Sequence, residues 1–65
     1  MKYKKVEQAF LQVGDCLRLI WCGYRHIVRF EEYDGPFDFV ARIAVFSDGS
    51  RMSLSKNRYY EILEA

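Results

Sequence analysis

The sequence predicts an all-β fold, a five-stranded small barrel, and three observations carry that expectation. Asp48-Gly49 lies between two runs of alternating apolar residues, the strongest short-range hairpin signal. Glycine-bearing bends recur at Val13-Gly14-Asp15, Gly23 and Asp34-Gly35-Pro36. Between them, apolar side chains alternate with polar ones, the period of a half-buried strand. Residues 42–63 organise the rest, reading as strand, turn, strand, one tight helical turn and closing strand. The chain is expected to be one domain over 1–65, with a short N-terminal helix or arm over 1–12 and the barrel over 13–65.

Taken in order, Val6, Ala9, Phe10 and Val13 fit helical spacing, but the segment is short, so it is read as a helix or an extended arm. The first barrel strand runs from Cys16 to Cys22, with Leu17, Leu19 and Trp21 on one face. Arg18 marks the other face, where Cys16, Ile20 and Cys22 are also apolar, so both sides call for cover. The second strand spans 24–33, with Val28 and Phe30 inward, opposite Ile27 and Arg29. In the third, Phe39, Ala41, Ile43 and Val45 share the inward parity, and Asp38 and Arg42 the outward one. Val40, Ala44 and Phe46 are apolar on that outward parity too, which raises homodimerisation, because contiguous exposed apolar surface marks an interface. A type I′ turn at Asp48-Gly49 leads into a fourth strand with Met52 and Leu54 inward. Ser55 to Arg58 is polar and short enough for a single 3₁₀ turn before Tyr60 and Ile62 point inward again.

The run Lys56-Asn57-Arg58-Tyr59-Tyr60-Glu61-Ile62-Leu63 resembles the end of SH3 and SH3-like small barrels, in which a 3₁₀ turn carrying Ser-Asn-Tyr leads into a short apolar closing strand. Lys56 stands where that family usually carries Pro, and Arg58 where it carries Asn. The resemblance covers about the last third of the chain. It implies a five-stranded SH3-like barrel with a 3₁₀ turn before the last strand, and it places Tyr59 at the family's ligand-groove tyrosine.

With 65 residues, of which 51% are apolar and 29% charged, the composition is that of a small globular domain. No run approaches the roughly 18 apolar residues of a membrane span, and Met1-Lys-Tyr-Lys-Lys-Val lacks a signal-peptide core, so a cytoplasmic, membrane-free protein is expected. Cys16 and Cys22, in one extended strand, would lie about 20 Å apart and stay free thiols. With His26 they make only three donors, short of a tetrahedral zinc set, so no metal and no cofactor is expected.

Enzymatic chemistry finds no support. The four glycines stand singly at bends, Glu31 and Glu32 are adjacent on a strand and so point to opposite faces, and Ser47, Ser50, Ser53 and Ser55 follow turn chemistry with no base beside them. A non-catalytic module is therefore expected. The net charge of +1 hides a segregation: residues 1–29 hold six basic and two acidic side chains, and residues 30–48 hold one and five.

The acidic segment is also aromatic, with four acids and four aromatics in the ten residues Phe30 to Phe39. Two binding readings follow. In the first, Glu31, Glu32, Tyr33, Asp34, Phe37, Asp38 and Tyr59 dock a basic or proline-containing segment of a protein partner, since aromatics flanked by charge offer large contact area at low entropy cost. The competing structural role has Tyr33 and Phe37 pairing across the turn. In the second, Lys2, Lys4, Lys5, Arg18, Arg25 and Arg29 hold phosphates of a nucleic acid while Tyr24 or Trp21 stacks on its bases.

Overall fold

The computed structural model describes residues 2–19 and 23–64. It is all-β, with six strands: β1 (Lys2–Glu7), β2 (Cys16–Leu19), β3 (Gly23–Glu31), β4 (Val40–Phe46), β5 (Arg51–Ser55) and β6 (Tyr59–Glu64). They form one antiparallel sheet in the order β1-β6-β2-β3-β4-β5. The edge strands β1 and β5 do not pair with each other, so the sheet is open. Ile20, Trp21 and Cys22, and with them the outer end of the expected first strand and the cysteine separation, lie outside the described residues.

The sixth strand is the N-terminal segment, expected as a helix or arm. Lys2 to Glu7 pairs along its whole length with β6, from Lys2 opposite Glu64 to Glu7 opposite Tyr59. Helical spacing fails here because β6 supplies a pairing partner: Val6 packs on the core while Lys4, Lys5 and Glu7 are exposed. What helix there is reduces to a single 3₁₀ turn, Gln8–Phe10. The 3₁₀ turn expected at 55–58 is instead a reversal at Lys56-Asn57, where Asn57 takes φ 59°. Asn is one of the few side chains that tolerates this left-handed conformation.

The core is built by Leu11, Leu17, Ile27, Ala44, Phe46, Leu54 and Ile62, with Val6, Leu19, Phe30, Met52 and Tyr60 packed around it. On β2, β5 and β6 this is the expected inward face. On β3 and β4 it is not. In β3 a bulge between Ile27 and Arg29 leaves Val28 as the extra residue, 43% exposed, so that Ile27 and Phe30, three positions apart, both face the core. In β4 the inward parity is that of Arg42, Ala44 and Phe46, and Phe39 is 57% exposed. Arg42 misleads the period because it is an inward-parity residue that spends its charge on internal acceptors. Val40, Ala44 and Phe46, the apolar residues expected to face outward, are buried within the single chain, and so is Val45 on the other parity.

The β4–β5 hairpin forms about Asp48-Gly49, but with a different turn. Gly49 has φ 88° and Asp48 does not share the positive φ of a type I′ turn. The Gly49 N–H donates to Phe46 O (2.9 Å) and the Phe46 N–H to Ser50 O (2.9 Å), a three-residue loop whose last position is left-handed. Asp48 locks it: its Oδ1 accepts from the Ser50 N–H (3.0 Å) and hydroxyl (2.6 Å), and its Oδ2 pairs with Arg25 Nε at 3.1 Å.

One side chain fastens the N-terminal segment to the other half of the sheet. Arg42 Nε donates to Gln8 Oε1 (2.5 Å), and its Nη2 donates to the carbonyls of Gln8 (2.8 Å) and Leu11 (3.0 Å), while the guanidinium lies 3.7 Å from the centre of the Phe30 ring. The Gln8 N–H in turn donates to Arg58 O at 3.0 Å, so the 3₁₀ turn bridges the start of β6 and the start of β4.

Candidate functional surfaces

The residues expected to form one site divide between two places. The first is the β3–β4 connection, residues 32–39. Glu31, at the end of β3, receives Arg51 Nε at 2.9 Å and Arg29 Nη2 at 3.2 Å. Its carboxyl is held below the usual carboxylate range, chiefly by the hydrogen bond from Arg51. It is thus already neutralised and acts as a strut between β3 and β5. Glu32, Asp34 and Asp38 are exposed and make no ion pair among the described residues.

Tyr33 is half-buried against the loop itself. Its hydroxyl accepts the Phe37 N–H at 3.3 Å, and its ring lies so close to Gly35 that a β-carbon there would overlap it. The expected Tyr33–Phe37 ring pair is not what forms. Phe37 pairs with Phe39, ring centres 5.4 Å apart, and both rings are more than half exposed. Phe39, read as a core residue from its parity, is therefore a surface residue. The signal for it in the sequence is its place in the acidic-aromatic run, which conflicts with its strand parity. Beside the loop a shallow cleft of about 290 Å³ is lined by Phe30, Glu31, Glu32, Tyr33, Ala41 and Arg42.

Tyr59 does not join this loop. It lies on β6, in a groove of about 460 Å³ lined by Lys5, Arg18, Arg58, Tyr59, Tyr60 and Glu61. Its hydroxyl donates to Glu7 Oε1 at 3.0 Å, and that carboxylate raises the phenol's pKa.

The residues read as phosphate contacts scatter. Arg25 is held by Asp48 and Ser50, Arg29 by Glu31, and Lys4 lies 3.9 Å from Glu64. Lys2 and Lys5 are exposed on β1 without an ion pair among the described residues, and Arg18 pairs with Glu61 at 3.1 Å. Tyr24, on β3, stands opposite Arg18 and 6.4 Å from the ring of Tyr3. His26 is an exposed strand residue whose carbonyl accepts the Ser47 N–H at 2.9 Å, and Cys16 opposite it is a buried free thiol. No group of three or more potential metal ligands occurs among the described residues, and none of their helices is long and apolar enough to cross a membrane.

No protein-family model matches the chain, and neither does any curated protein or solved structure.

Proposed function

We propose that the protein is a non-catalytic interaction module of SH3-like architecture whose β3–β4 loop docks a basic or proline-containing segment of a protein partner. The observation that carries the reading is the exposed Phe37–Phe39 pair, set among Asp34, Asp38 and Glu32, whose carboxylates have no ion-pair partner among the described residues. Two adjacent rings offer a platform for a proline ring or an aliphatic stem, and the free acids complement a Lys or Arg beside it. The SH3-like part of the proposal is supported by the five consecutive neighbours β6-β2-β3-β4-β5, which leave β1 as an addition on the outer edge.

The test is a set of basic, proline-containing peptides titrated into labelled protein and followed by amide chemical shifts. Shifts concentrated at 32–39 in the wild type, abolished in a folded Phe37→Ala/Phe39→Ala variant and weakened by salt, are expected. Peptides that bind equally well to the double variant would remove the loop from the proposal.

A further inference from the structure

The geometry points to a second binding surface, independent of the loop: the outward face of β1, β6, β2 and the start of β3 takes single-stranded nucleic acid. Pairing sets the face. Tyr3, Lys5 and Glu7 of β1 stand opposite Leu63, Glu61 and Tyr59 of β6, and Arg18 of β2 stands opposite Tyr24 of β3. The alternate residues Val6, Tyr60, Ile62 and Leu17 pack inward, so these side chains point outward.

The result is cations interleaved with rings. The Arg18 guanidinium sits 4.7 Å from the centre of the Tyr3 ring, which lies against Tyr24. Lys5 and Arg58 line the groove beside Tyr59 and form no ion pair among the described residues. Tyr24 and Tyr59 are 41% and 57% exposed, enough to present ring surface to a ligand. Backbone-tracking positive charge with sequence-tolerant stacking platforms is how single strands are held without base readout. A duplex, whose bases are stacked internally, cannot use the rings, and an acidic peptide has no flat group to lay on them. Glu61 is the built-in competitor, since a phosphate that engages Arg18 must displace it from a 3.1 Å ion pair.

The experiment is fluorescence anisotropy with labelled twelve-nucleotide oligo-dT and oligo-rU. With Lys5, Arg18 and Arg58 as the three phosphate contacts, the log–log salt slope is about −2, so affinity falls roughly 20-fold between 50 and 200 mM salt. Lys5→Ala with Arg18→Ala leaves Arg58 as the remaining contact and cuts the slope to about −0.7. Tyr24→Ala weakens binding by roughly tenfold. Glu61→Gln tightens it, a gain that no misfolded variant can mimic. Phe37→Ala/Phe39→Ala leaves it unchanged, so failure of the loop reading and failure of this one are distinguishable. The proposal is overturned by absence of binding at 50 mM salt, by equal binding of a duplex or of polyglutamate, or by insensitivity to the Lys5 and Arg18 substitutions.

Discussion

Replacing Arg42 by Met is expected to destabilise the fold by about 3 kcal/mol, and the sign is not obvious in advance. A guanidinium drawn partly out of water without a carboxylate partner carries a desolvation cost, and removing it relieves that cost. Against this stand the acceptors it leaves behind. Gln8 O keeps a donor, the Leu11 N–H at 3.2 Å, but the buried Gln8 side chain and Leu11 O lose the Arg42 donors. Two stranded acceptors cost roughly 1–3 kcal/mol each, and the contact with Phe30 adds about 1 kcal/mol, so the loss outweighs the relief. A chain of this length has a total stability of roughly 3–10 kcal/mol. The variant should therefore melt about 12–24 °C lower, or fail to fold where the total is near the bottom of that range. Arg42→Lys should rescue little, because one ammonium replaces a planar group whose Nε and Nη2 address separate oxygens. Urea unfolding gives the magnitude, and amide exchange at Gln8 and Leu11 shows whether the N-terminal segment loosens first. A variant within 1 kcal/mol of the wild type would mean that the bridge between the 3₁₀ turn and β4 contributes no net stability.

Core assignment is checked by a pair of substitutions: Leu54→Ala should cost about 2–5 kcal/mol, whereas Val28→Ala, at the exposed bulge, should stay within about 0.5 kcal/mol, as read from denaturant midpoints. Gly49→Ala should cost about 1 kcal/mol through its φ of 88° alone, since nothing lies within 4 Å of the added carbon, and Gly49→Asn should cost less. Glu31 and Asp48 have folded pKa values below their unfolded ones, held down chiefly by hydrogen bonds from Arg51 and from Ser50 respectively. Each group's contribution is therefore complete above its unfolded pKa and is lost as pH falls through the folded value. Thermal melts should lose stability below about pH 4, and Glu31→Gln with Asp48→Asn should flatten that limb.

The fold class and the β4–β5 hairpin were legible in the sequence because they depend on local chemistry, a glycine able to take positive φ and side chains alternating on strands. What was not legible depends on tertiary compensation. A bulge at Val28 resets a period that no composition announces. Arg42 reads as an outward residue until Gln8 and Leu11 supply its acceptors. The strand character of Lys2 to Glu7 is hidden because its partner, β6, lies more than fifty residues away. The candidate loop was legible as composition, but its geometry was not. Phe37 pairs with Phe39 while the Tyr33 ring lies on Gly35, an arrangement that sequence spacing does not reveal.

The charge segregation seen along the chain becomes spatial through the strand order. Because β6 lies between β1 and β2, Lys5 and Arg18 converge on one groove together with Arg58, although they are far apart in sequence. The acids of 31–38 leave from the far end of β3. The two groups meet only where strands cross between them, and there they are discharged: Arg29 and Arg51 on Glu31, and Arg25 on Asp48. Among the described residues that this cancellation leaves without an ion pair, Lys5 and Arg58 on one side and Glu32, Asp34 and Asp38 on the other stand beside exposed rings. A charge used to hold strands together is withdrawn from binding, so the unpaired remainder, rather than the total, marks the surfaces on which partners of opposite sign are to be sought.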